Sequence, residues 1–165
     1  YNRTAAVQWA KTHVYYTEQF TNGHDCTWYV SQALWAGGLP KSPAWTSDNA
    51  FPSLNPPRTA TGADYLKNHL VTDTGLATIT ELSWSDNTAG GAQLGDIIAY
   101  DWDNGADGVI DHHAIVTGFT AEGYPLVSQH SLAQLDRYWS YSESSNEWVE
   151  KVEQGARVYL IHITH

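Results

Sequence analysis

The chain has 165 residues, of which 42% are hydrophobic and 16% charged, with a formal charge of −10. That length fits one domain able to bury its own core, and the composition excludes a disordered chain. No run of about 18 apolar residues is present to span a membrane, and the negative field repels phosphate backbones and anionic lipid, so neither nucleic acid nor a membrane is an expected partner.

A single cysteine, Cys26, rules out an internal disulfide and leaves a choice between a buried small hydrophobe and a reactive thiol. Methionine is absent, position 1 included, which leads to the expectation of a processed protein or an excised domain. Eight tryptophans and ten tyrosines against three phenylalanines give an aromatic bias shared by extracellular wall-active proteins.

In chain order, Arg3 to Tyr16 reads as a helix with Ala6, Trp9, Ala10 and Val14 on one face. Asn22-Gly23 marks a turn. A second helix starts at Cys26, with Asp25 as its expected N-cap and Val30, Ala33 and Leu34 inward, and stops at Gly37-Gly38. From Pro40 to Pro57 a Pro-, Ser- and Asn-rich loop carries Trp45 and Phe51. Thr61 to Leu70 reads as a further helix, and Thr78 to Leu82 as a short strand. The C-terminal half is strand-like at Asp96–Tyr100, His112–Phe119, Tyr124–Gln129 and Ala156–Thr164. Helices first and strands after predict an α+β fold, with the helices packed on a C-terminal antiparallel sheet.

Cys26 would open its helix, where unpaired N–H groups carry partial positive charge and favour a thiolate. A base must come from elsewhere in the chain. On a strand, His112, Ala114 and Val116 face one way and His113 and Ile115 the other, so only one of the two histidines meets the thiol. A third polar group should hold the other imidazole nitrogen. His130, at the end of the next strand, is the first candidate, and Gln129 the alternative. His24, next to Cys26 in sequence, is an outsider for the base. His13, His69, His162 and His165 stand in no motif, and no close Cys/His spacing suggests zinc.

Three stretches carry a resemblance: Tyr1-Asn2-Arg3; Asp25-Cys26-Thr27 with Val30-Ser31-Gln32 and Ala36-Gly37-Gly38; and Leu94-Gly95-Asp96 with Asp111-His112 through Val116-Thr117-Gly118 and Val127-Ser128-Gln129-His130. Over nearly its whole length the chain resembles the putative amidase domain family, a bacterial relative of the NlpC/P60 and CHAP peptidases. The resemblance implies a papain-like fold and a cysteine amidase or peptidase in which Cys26, His112 and His130 are nucleophile, base and orienter. It also implies a peptide or peptidoglycan substrate and a secreted or cell-surface location. Family members usually have Asn-Phe after Cys-Thr, where this chain has Trp28-Tyr29; Trp28, Trp45 and Gln129 are the expected substrate contacts. Gln19 or Tyr16 is the expected second oxyanion donor.

Catalysis of this kind requires no cofactor. A structural calcium site is a separate expectation. The run from Asp101 to Asp111 is similar to an Asp-x-Asp…Asp-Gly calcium loop, with Asp101, Asp103, Asp107 and Asp111 as ligands, although its spacing departs from the EF-hand. The alternative is a polar hairpin using Asn104-Gly105 and Asp107-Gly108 as turns. Rival functions are a non-catalytic wall-binding module, a secreted amidase toxin domain with an inhibitor or immunity partner, and a transferase using the same thioester.

Overall fold

The computed structural model describes residues 1–16, 25–48, 56–103, 105–130 and 132–165. Helix α1 (Arg3–His13) begins where the Asn2 side chain accepts a hydrogen bond from the Ala5 N–H, 2.9 Å. It ends three residues short of the expected Tyr16, with Lys11 and His13 in the last turn, where cations favour the helix dipole. Helix α2 (Cys26–Ala36) is buried at seven of its eleven positions. It ends in paired bonds from Leu39 N–H to the Leu34 carbonyl and from Gly38 N–H to the Trp35 carbonyl. Gly38 takes φ +90° there, a conformation that favours glycine.

The expected helix over Thr61–Leu70 is broken. Gly62 is extended (φ −104°, ψ 127°) between α3 (Arg58–Thr61) and α4 (Ala63–Asn68), and a π-helical turn, His69–Asp73, follows. Six strands follow: β1 (Ala77–Glu81), β2 (Ile97–Asp101), β3 (His112–Phe119), β4 (Pro125–Gln129), β5 (Gln134–Tyr138) and β6 (Arg157–Ile163). Every pairing is antiparallel and the order is β1-β6-β2-β3-β4-β5. The short helix α5 (Val149–Val152) and strand β5 had no counterpart in the sequence reading.

Strand β2 is buried at all five positions because both faces of the sheet are covered. Ile97 and Ala99 join Ile115, Ile161 and Ile163 beneath α1 and α2. Ile98 and Tyr100 join Ala114, Val116, Val127 and Val158 beneath Trp139, Tyr141 and Val149 of the C-terminal segment. The helical layer therefore covers one face and a loop-built layer the other. Among the described residues no helix is long and apolar enough to cross a membrane.

The N-terminus is locked to the sheet through the residues that carry the family resemblance. The Tyr1 hydroxyl donates to the Gly95 carbonyl, 2.9 Å. Arg3 donates to the carbonyls of Leu94 (2.8 Å) and Ile163 (2.6 Å) and pairs with Asp96 at 2.7 Å. Asp96, fully buried, also accepts from the N–H groups of Gln93 and Ile163 and meets His162 Nδ1 at 2.8 Å. The Tyr1 ring lies so close to Gly37 that a Cβ there would sit 2.4 Å from it. Replacing Asp96 by alanine takes the carboxylate from Arg3 and the acceptor from the buried Ile163 N–H and the part-buried Gln93 N–H, and should lower unfolding stability by about 3 kcal/mol. Urea unfolding of Asp96→Ala checks this, and a loss below about 1 kcal/mol contradicts the assigned role.

Candidate active site

Cys26 is the first residue of α2, whose leading N–H groups have no intrahelical acceptor. Its half-buried sulfur lies 3.6 Å from Thr27 Oγ1. Burial pushes the thiol pKa up. A hydrogen bond and charge from His112 act against burial, helped by the His113 backbone and the Thr27 hydroxyl, and the net result is a pKa lowered to about 7. His113 points toward α2, its Nδ1 3.4 Å from Thr27 Oγ1, and its fully buried ring is held neutral because burial lowers its pKa to about 3. The alternation along β3 thus gives one histidine to the thiol and the other to the core.

His112 is buried at the start of β3. The Trp102 ring stacks on it at 5.1 Å between centroids, inclined by 13°, and Tyr100 packs at 5.6 Å. Its Nε2 faces Gln129 Oε1 at 3.2 Å. The Tyr141 hydroxyl donates to the same oxygen, and the Gln129 amide nitrogen reaches the Leu132 carbonyl at 3.5 Å. An amide oxygen only accepts, so His112 carries its proton on Nε2 and leaves Nδ1 for the thiol.

This corrects the expected role of His130. Val127 and Gln129 of β4 lie on the face shared by Ala114, Val116 and His112, whereas the next residue turns to the helical side. His130 Nδ1 there meets the Asp25 carboxylate at 2.6 Å, and its Nε2 donates to the His13 carbonyl at 3.2 Å. Its ring stacks on Tyr29 at 4.3 Å. Asp25 takes the expected N-cap position of α2 but makes no side-chain capping bond there, its carboxylate being turned to His130. The pair instead ties the end of α1, the start of α2 and the end of β4 at the residue before Cys26.

Two expected substrate contacts are core residues. Trp45 is fully buried, donates to Ser31 Oγ at 3.1 Å and packs on Trp35 and His69. Trp28 is buried with its ring edge against Trp35, because α2 is enclosed on most sides. Gln129, the third, faces His112. Tyr16 is exposed with its ring edge against His13. Gln19, His24 and Phe51 lie outside the described residues.

The acidic run does not gather its carboxylates. Asp101 accepts from the N–H groups of Asp107 (3.1 Å) and Gly108 (2.8 Å), and Asp111 from those of Trp102 (2.9 Å) and Asp103 (3.1 Å). Asp107 accepts from Val109. Among the described residues no three His, Cys, Asp or Glu side chains are grouped to hold a metal. The carboxylates close the β2–β3 connection and seat Trp102 over His112.

Trp102 and Tyr141 escaped the sequence reading. Trp102 stands in a turn whose geometry rests on carboxylates six to nine residues away, and Tyr141 reaches the site from a loop beyond β5. The two-residue period of β4 separates Gln129 from His130, and the pairing of β4 with β3 places Gln129 on the His112 face.

Fold and site define an α+β domain with a thiol–imidazole pair at one end of a six-stranded antiparallel sheet. Residues 1–152 match the family model described as a putative amidase domain, and the chain belongs to that family. It is 30% identical to uncharacterized protein YhbB of Bacillus subtilis (strain 168), over 88% of this chain and 46% of the relative. It is likewise 30% identical to uncharacterized protein YjcM of the same organism, over 92% of this chain and 35% of the relative. The chain spans less than half the length of these curated relatives. No solved structure matches it.

Alkylation of Cys26 by iodoacetamide should rise with pH through a midpoint of about 7, since the thiolate forms above the lowered pKa. With His112→Ala only the opposing effect of burial remains dominant, and the midpoint should move above about 8.5, the ordinary cysteine value. Equal midpoints in the two proteins contradict the pairing.

Proposed function

We propose that the chain is a cysteine hydrolase of amide bonds, with a papain-like division of labour between a helix-borne thiol and a strand-borne imidazole. The observation that carries this reading is the meeting of Cys26 at the open end of α2 with His112, which holds the thiol pKa near 7. The family description supports amide hydrolysis as the reaction class.

The Cys26 thiolate attacks the carbonyl carbon, and the oxyanion develops against the N–H groups at the start of α2. His112, protonated at Nδ1, delivers that proton to the nitrogen as the C–N bond breaks and the amine leaves. The neutral Nδ1 then takes a proton from water, whose oxygen attacks the thioester. Sulfur departs as thiolate and the acid product is released. Gln129 holds Nε2–H throughout, so the same ring nitrogen serves both steps.

The substrate class put forward is a peptide amide of the bacterial cell wall, met outside the cytoplasm. Support comes from the acidic net charge, which favours neutral or cationic amides over nucleic acid, and from the aromatic bias. Purified wall peptides incubated with the protein should yield new free amines, with kcat/KM rising through about pH 7 on the acid side as the thiolate forms. Cys26→Ser should lower turnover about a thousandfold or more. Binding of those peptides without any amine release, equal in wild type and Cys26→Ser, supports a non-catalytic wall-binding module instead.

A further inference from the structure

We propose that Tyr141 is a positioning residue that locks the Gln129 side-chain amide in one orientation, and thereby holds His112 as the Nε2–H tautomer with Nδ1 toward Cys26. The inference rests on the hydrolase reading and adds a regulator of its base.

A glutamine amide has two nearly isosteric orientations of opposite chemistry. With Oε1 toward His112 the ring is obliged to donate from Nε2. With the NH₂ group toward His112, Nε2 is obliged to accept, the proton moves to Nδ1, and the lone pair facing the thiol is lost. Two groups select between these. The Leu132 carbonyl accepts from the amide nitrogen, but at 3.5 Å the contact is weak. The Tyr141 hydroxyl donates to Oε1 at closer range. Its neighbour Tyr100 has already committed its own proton to the Trp139 carbonyl at 2.5 Å.

The backbone at Tyr141 supports a positioning role. Its φ of +62° is one that a bulky side chain rarely adopts, and such strain persists only where the surroundings impose it. Here the Tyr141 N–H donates to the Tyr138 carbonyl at 2.9 Å, and the Arg137 guanidinium lies 3.7 Å from the ring centroid. Arg137 is itself buried and held by Glu143 at 3.0 Å and Glu147 at 3.4 Å. Tyr100 and Trp102 close the other sides at 5.4 and 5.9 Å. The titratable and charged groups facing the phenol are therefore Tyr100 from β2, Arg137 from β5 with its two glutamates, and Cys26 from α2, with His112 reached through Gln129. Burial raises the Tyr141 pKa well beyond the physiological range, so the hydroxyl keeps the proton it donates.

Wild type, Tyr141→Phe, Gln129→Glu and the double variant are compared by the pH midpoint of Cys26 alkylation, with thermal melts to show that each is folded. Tyr141→Phe should raise the midpoint by about one unit, the scale of one lost hydrogen bond. In the Gln129→Glu background the same change should have no effect, because a carboxylate has no donor face to turn toward His112. An unchanged midpoint in Tyr141→Phe, or the same shift in both backgrounds, overturns the proposal. A second readout stands apart from thiol activation and from the stability of the multiple variants: nitrogen-15 spectra of His112 in Cys26→Ser, where no thiolate holds the ring charged. The Nε2–H form should dominate there and lose population to Nδ1–H when Tyr141→Phe is added. Predominance of Nδ1–H in the first protein, or an unchanged ratio in the second, overturns the proposal. A wild-type midpoint at the ordinary cysteine value defeats the hydrolase reading alone, and the spectra still decide the role of Tyr141.

Discussion

Burying a thiolate is unfavourable, and the Cys26 site depends on His112 to reverse that preference. The hydrogen bond and charge at Sγ outweigh desolvation only while the imidazole presents the correct nitrogen, so most of the surrounding architecture serves to fix that one ring. Trp102 and Tyr100 confine its plane, and Gln129 fixes its proton. Asp111 and Asp101 accept from backbone N–H groups of the β2–β3 connection and hold Trp102 in place.

The thiol is positioned by a different set of contacts. Cys26 inherits its place from Asp25, which the buried His130 ring anchors to the end of α1 and the end of β4. Far from the site, Arg3 and Asp96 join the first turn of α1 to β6 and to the entry of β2. The sequence stretches that carry the family likeness therefore fall into two physical groups. One builds the thiol–imidazole pair, and the other fastens the helical layer to the sheet that carries the imidazole.

Periodic elements were readable in advance for a simple reason. The helical face of α1, the alternation that separates His112 from His113 and the Gly37-Gly38 stop are local patterns, and local patterns survive into the fold. Helix α2 misled where its surroundings mattered: Trp28 and Trp45 look like cleft aromatics until the burial of α2 on most sides is known. His130 and Gln129 are adjacent in sequence yet lie on opposite faces of the sheet, and choosing between them required knowing which face His112 occupies. Tyr141, with its positive φ and its reach from a loop after β5, obeys no period at all.

On the proposed mechanism Cys26 forms a covalent thioester which His112 helps to form and to clear. Rapid quenching of the protein after mixing with an activated acyl ester, followed by intact mass measurement and peptide mapping, tests it directly. Wild type should show a transient acyl adduct on Cys26, and His112→Ala slow acylation with a persistent adduct. Acyl groups scattered over lysines, or an adduct on Cys26 that forms and decays equally in both proteins, would contradict it.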